Sequence, residues 1–217
     1  MPNVDKMYTY LRGYLVGAGM TESIKALQYA RKAHDGQTRM GDGSPYIIHP
    51  LSMACYAVAL GVKDDNIIAT ILLHDVVEDY DKQVEYLPVN DTVKRAVKYM
   101  TITTFDTDTS KIETKCRYFN ELLDSREALI CKALDRYNNL TDMPAKFTTD
   151  GTAKNIAETE VLLLPIMKKA KEKYADLADI LFVLRTNLSS LCEAIKPQCY
   201  AEWTKWNCIY KREDTKE

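Results

Sequence analysis

An all-α fold is predicted by three features of the sequence. Apolar residues recur at three- and four-residue intervals through most of the 217 positions, the spacing that lines one face of a helix. Only eight glycines and seven prolines interrupt that pattern. Runs that alternate apolar and polar residues, as strands do, are nearly absent.

The helices follow in order. One is expected over 4–17, a second over 22–35 capped by Thr21 with Ser23, and a third over 48–60 ended by Gly61. A fourth, over 64–79, has Asp64 or Asp65 as its cap. Further helices are expected over 90–100, 110–124 and 126–141. The pattern at 153–173 contains Pro165, which removes a backbone donor and predicts a kink or a split. The last helix, 175–196, is followed by a short aromatic tail after Pro197. Two segments resist assignment, TRMGDGSPY at 38–46 and DMPAKFTTDGT at 142–152. Both follow helices and are expected to shape the mouth of a pocket. No internal repeat or low-complexity linker marks a boundary, so one domain over 1–217 is expected, with a motif core at about 22–141 and the helices of 153–196 completing the bundle.

Charge and cysteine usage narrow the function classes. A formal net charge of −2 lacks the basic excess that attracts nucleic acid or an anionic membrane. No run approaches the roughly 18 apolar residues of a membrane span, and the N-terminus lacks the apolar core of a signal peptide. The six cysteines, Cys55, Cys116, Cys131, Cys192, Cys199 and Cys208, contain no CxxC pair and mostly fall in apolar helical patterns. Reduced thiols and a cytoplasmic location are the expectation.

The chemistry gathers in DDNIIATILLHDVVED, residues 64–79. Ile67, Ile68, Ile71, Leu72 and Val76 supply packing, whereas His74 with Glu78 and Asp75 with Asp79 stand one helical turn apart. Burying these polar groups without partners is costly, and a divalent cation relieves the cost by neutralising carboxylates and ligating imidazole. A solvated helix end is the plain alternative, and an isolated HD dipeptide does not exclude it. Context favours the cation. PYIIHPLSMA sets His49 directly before Pro50, and CKALDRYNNL sets Asp135 inside an apolar helix beside Arg136, with Asn139 one turn on. His49, His74, Asp75 and Asp135 form a mixed nitrogen and oxygen set that suits Mn²⁺ or Fe²⁺ with positions left for water and substrate.

The words ARKAHDGQTR, SPYIIHPLSMA, IIATILLHDVVED and KALDRYNNL, in this order, resemble the HD-domain metal-dependent phosphohydrolases. Within them the similarity is to the hydrolase domain of RelA/SpoT-type (p)ppGpp hydrolases, in the form of a stand-alone small alarmone hydrolase. It runs from about Ile24 to Leu140 and continues more weakly through 153–173. The resemblance implies a helical HD bundle and a divalent metal, usually Mn²⁺, on His49, His74, Asp75 and Asp135. It implies a catalytic acid pair at Glu78 and Asp79, a base-packing arginine at Arg39 and a substrate contact at Asn139. Lys154 lies near the position of a basic substrate-binding residue. The implied reaction is attack of a metal-activated water on the 3′-diphosphate of (p)ppGpp, oriented by Glu78 and Asp79, with release of pyrophosphate. That is the hydrolytic arm of the stringent response.

Departures from the family pattern bear on the substrate. After Arg39 the family has Lys, a small residue and Gly, whereas this chain has Met40, Gly41, Asp42, Gly43 and Ser44 before Pro45. A lysine able to meet phosphate is lost and Asp42 adds a repelling charge, so cations for a diphosphate must come from Lys111, Lys115 or Lys154. After Asn139, Thr141 and Asp142 stand where an arginine and a hydroxyl residue are common. Another nucleotide substrate, such as NADPH or a 3′-phosphorylated nucleotide, is therefore an alternative, as is a non-catalytic nucleotide sensor. His34 is expected to make a structural hydrogen bond, and KKAKEK at 168–173 to be a solvated face. Tyr200, Trp203, Trp206 and Tyr210 fit either core packing or a subunit contact, which leaves a homo-oligomer open.

Overall fold

The computed structural model describes residues 3–39, 43–77, 84–101, 110–146 and 148–214, with backbone alone at 142–146 and 214. The chain divides into two compact units, Met1–Thr101 and Ile102–Glu217. Helices dominate both, and among the described residues the only sheet-like pairing is one antiparallel bridge between Thr38 and Pro45. The fold class is all-α.

The first unit contains α1 (Val4–Gly17), α2 (Thr21–Ala33), α3 (Ile48–Ala59), α4 (Asp65–Leu73) and α5 (Asp91–Met100). Every residue of α4 from Ile67 to Leu73 is buried, because α2, α3 and α5 all pack against it. A helix that is apolar on every side must be a core helix. Two adjacent aspartates organise its start. Asp64 caps α4 itself, its Oδ1 accepting from the backbone N of Asn66 at 2.9 Å and of Ile67 at 3.2 Å. Asp65 turns to the neighbouring helix and accepts from the backbone N of Glu22 at 2.9 Å and of Ser23 at 2.7 Å.

Thr21 is therefore not the cap of α2. The N-cap position is Met20, which makes no side-chain bond, and two orphan amides of that helix, those of Glu22 and Ser23, are satisfied from α4. The Ser23 hydroxyl donates in the same direction, to Asp65 Oδ1 at 2.6 Å. An acid at a helix N-terminus also gains from the macrodipole.

Helix α4 stops earlier than the periodicity predicts, at Leu73 rather than 79. The backbone N of Val76 bonds Leu73 O three residues back at 3.0 Å, and the Ile71 carbonyl faces the His74 imidazole at 2.9 Å. Both contacts tighten the chain out of the α-helical ladder. Of the segment 38–46, the described residues 38–39 and 43–46 are non-helical as expected, and 40–42 lie outside the described residues. Arg39 N bonds Ser44 O at 2.8 Å and Tyr46 N bonds Gln37 O at 2.9 Å, which pairs the residues on either side, with Gly43 at φ 66°. Gly61, at φ 85°, ends α3 as expected.

The second unit contains α6 (Lys111–Glu121), α7 (Arg126–Lys146), α8 (Thr149–Glu158), α9 (Leu164–Lys173), α10 (Ala178–Ile195) and α11 (Tyr200–Asp214). Most of 142–152 is helical rather than irregular, because α7 continues to Lys146 and Thr148 caps α8 by accepting from Gly151 N at 3.1 Å. The expected break near Pro165 takes the form of a π-helical turn over Thr159–Leu163. Leu164 N bonds Thr159 O five residues back, a widening that accommodates the amide hydrogen Pro165 lacks. The segment after Pro197 is a 15-residue helix and not a tail. Tyr210 anchors it, fully buried.

Removing Asp65 strands the first amides of α2 while leaving α4 its own cap. Asp65→Ala is expected to destabilise by about 2 kcal/mol and Asp64→Ala by about 1 kcal/mol, read as shifts in the urea midpoint of far-ultraviolet circular dichroism.

Candidate metal site

The first unit brings His49, His74 and Asp75 together. His49 sits in the first turn of α3, where Pro50 removes an amide hydrogen that has no intrahelical partner in any case. The chain enters that turn through Ile48 N to Pro45 O at 3.1 Å and His49 N to Tyr46 O at 3.0 Å. His74 sits just past the end of α4. Its Nδ1 faces the Ile71 carbonyl, which only accepts, so Nδ1 carries the hydrogen. In the neutral ring Nε2 then presents a lone pair.

Both imidazoles direct Nε2 toward the Asp75 carboxylate. His74 Nε2 is 3.0 Å from Oδ1 and His49 Nε2 is 3.6 Å from Oδ2. The ring centres are 5.3 Å apart, and both histidines are buried. A lone pair facing a carboxylate oxygen is repulsive. Positive charge, as a ring proton or a divalent ion shared by the three groups, reverses the sign. Two imidazole nitrogens and a carboxylate, with one Nδ1 steered by a backbone carbonyl, are a donor set that fits a divalent metal.

Tyr46 was not among the expected site residues. Its hydroxyl donates to Asp75 Oδ2 at 2.8 Å, and its ring stacks on His34 at 4.8 Å between centroids. The signal lay in PYIIHP, where Tyr46 precedes His49 by three residues in a helix-entry turn. His34 makes the structural contact expected of it, with Nδ1 3.0 Å from Gln37 Oε1.

In the second unit Asp135 is buried in α7 and offers a carboxylate ligand atom. Lys132 Nζ lies 2.8 Å from its Oδ2, and Asn139 donates to its Oδ1 at 2.6 Å. Asn139, expected at the substrate, is thus engaged with the carboxylate. Burial works against the charge of Lys132, but the Asp135 carboxylate outweighs it and holds the ammonium above the ordinary lysine range. Lys132 also went unpredicted, although it stands one turn before Asp135.

One carboxylate ties four helices together behind Asp135. Glu158 of α8 accepts from Arg136 of α7 at 3.0 Å, from Lys115 of α6 at 2.5 Å and from the Tyr210 hydroxyl of α11 at 2.6 Å. Arg136 also donates to the Asn155 backbone and side-chain oxygens. Burial alone would raise the Glu158 pKa, but Arg136 and then Lys115 overcome it and bring it to about 2. Lys115, named above as a source of positive charge for a diphosphate, is occupied in this network. Lys154 holds its ammonium 4.7 Å from the centre of the Trp206 ring, and Trp206 donates to Asp150 at 2.9 Å. Arg39 is half-buried beside Ser44, whose carbonyl its backbone N bonds. Glu78 and Asp79, the expected acid pair, lie outside the described residues, as do Met40, Gly41 and Asp42.

Comparison with known proteins adds family context. Residues 26–159 match the HD domain family. The chain is 36% identical over 75 residues to the bifunctional (p)ppGpp synthase/hydrolase SpoT of Escherichia coli K12, a match covering 35% of this chain and 10% of that enzyme. It is 29% identical over 133 residues to the guanosine-3′,5′-bis(diphosphate) 3′-pyrophosphohydrolase MESH1 of Homo sapiens, covering 59% of this chain and 73% of that protein. The match thus spans about a tenth of the length of the bacterial bifunctional relative. A solved structure, described as a metazoan ortholog of SpoT that hydrolyzes ppGpp, is similar in fold, with TM-score 0.58 and 24% identity over 82% of this chain and 94% of that one.

The Glu158 network sets a pH dependence. Its folded pKa of about 2 lies below the ordinary 4.5, so its contribution is complete above about pH 5 and is lost as pH falls toward 2, on the order of 3 kcal/mol. Urea unfolding from pH 7 to pH 2 should show that decline in wild type. Glu158→Gln should start less stable at pH 7, with the buried Arg136 and the half-buried Lys115 short of a partner, and decline less over the same range.

Proposed function

The chain belongs to the HD-domain family, and on that premise we propose that it is a Mn²⁺-dependent hydrolase of the 3′-diphosphate of (p)ppGpp. The observation that carries the metal chemistry is the convergence of His49 Nε2 and His74 Nε2 on Asp75. In this reading Asp135 completes the ligand set, supported by a family match that spans both units and includes all four residues. The two units then act as one hydrolase domain.

A divalent ion in that set supplies Lewis-acid activation of water. The protein's own part is to hold three converging groups before the ion arrives, which limits reorganisation during reaction. Glu78 and Asp79 orient the water and take its proton. The water oxygen bonds phosphorus, the bond from phosphorus to the 3′ oxygen breaks, pyrophosphate leaves, and the 3′ oxygen takes the proton to become a hydroxyl. Arg39, Asn139 and Lys154 are the proposed substrate contacts, with Asn139 also steadying Asp135.

The Met40 to Ser44 departure favours a second reading, the same metal chemistry on NADPH or a 3′-phosphorylated nucleotide. The non-catalytic sensor is the third. We also infer a cytoplasmic location from six free cysteines, which suit a reducing compartment. Among the described residues no helix is long and apolar enough to cross a membrane.

Purified protein supplied with Mn²⁺ is expected to release pyrophosphate from ppGpp, and Asp75→Ala to lower the rate at least a thousandfold, on the order of a removed metal site. A nucleotide panel scored for phosphate against pyrophosphate separates the readings. Phosphate release from NADPH with no pyrophosphate from ppGpp would move the assignment to the second, and binding without turnover under any metal to the third.

A further inference from the structure

We infer that Tyr46 is a positioning residue for the carboxylate of Asp75, held in place by His34. This rests on the reading that His49, His74 and Asp75 hold a divalent ion. A carboxylate turns about its last side-chain bond and can present either oxygen to a cation. The Tyr46 hydroxyl takes Oδ2 at 2.8 Å, which leaves Oδ1 3.0 Å from His74 Nε2. A phenol suits this task because it is a neutral donor at ordinary pH, so it fixes the carboxylate without supplying a competing charge.

The ring is itself fixed from several directions. His34 stacks on it with 25° between planes, and His49 meets it at 6.3 Å and 75°. Its backbone N bonds Gln37 O at 2.9 Å, and the Gln37 side chain engages His34 Nδ1 at 3.0 Å. The residues of AHDGQ therefore reach the metal site through Tyr46 and not as ligands. A purely packing role would need the ring alone, so the hydroxyl is the part to remove.

Direct Mn²⁺ titration by calorimetry reads the effect without turnover. Tyr46→Phe keeps the ring and is expected to fold as wild type by circular dichroism, to bind Mn²⁺ about 10- to 100-fold more weakly, and to regain turnover at saturating Mn²⁺ with substrate KM unchanged. His34→Ala leaves the hydroxyl but frees the ring, and should weaken Mn²⁺ binding by a smaller factor. It carries the test if Tyr46→Phe fails to fold. Mn²⁺ affinity within twofold of wild type in the folded variants overturns the role of Tyr46 while leaving the metal reading intact. A wild-type protein that binds no Mn²⁺ overturns the metal reading, and this inference with it.

Discussion

Two imidazole nitrogens aimed at one carboxylate form the constraint around which the first unit is organised. The hydrogen of His74 is committed to the Ile71 carbonyl, so its other nitrogen meets Asp75 as a lone pair unless positive charge intervenes. His49 approaches the same carboxylate from α3. Buried polar groups in such an arrangement are tolerated when a charge resolves them, and a divalent ion resolves all three at once. The chemistry proposed for the protein follows from that electrostatic requirement.

The surrounding structure keeps the arrangement from relaxing. α4 is buried from Ile67 to Leu73, and its first residue, Asp65, caps α2. A shift of α4 that separated His74 from His49 would break those bonds as well as the packing. Tyr46 then holds the remaining rotational freedom of Asp75. In the second unit the same economy appears around Glu158, where one buried carboxylate joins α6, α7, α8 and α11. Asp135 and Arg136 are adjacent on α7, so the network that fixes one also fixes the other.

Features that depend on neighbours in sequence were legible, and those that depend on distant partners were not. The Asp64 cap and the Gly61 stop are local and were readable from residue type and position. Asp65 as the cap of α2 was hidden, because Ser23 and Asp65 are 42 positions apart and the nearby Thr21 offered a plausible local answer. The end of α4 at Leu73 was hidden for another reason: the apolar pattern continues through Val76, while the turn is set by a side chain meeting a backbone carbonyl. The helix after Pro197 was misread as a tail, since its anchor, Tyr210, finds its partner in Glu158 of α8. At the site, the histidines and Asp75 were legible as chemistry-bearing types in unusual settings. Tyr46 and Lys132 looked like ordinary members of the same motifs, and only their contacts distinguish them.

The convergence of His49, His74 and Asp75 is proposed as a metal site. The most direct test is a crystal structure of Mn²⁺-loaded protein with anomalous data collected to locate manganese. One strong anomalous peak is expected within bonding distance of His49 Nε2, His74 Nε2 and an Asp75 oxygen. Ordered density for those three side chains with no anomalous peak between them, or manganese bound only elsewhere, would contradict it.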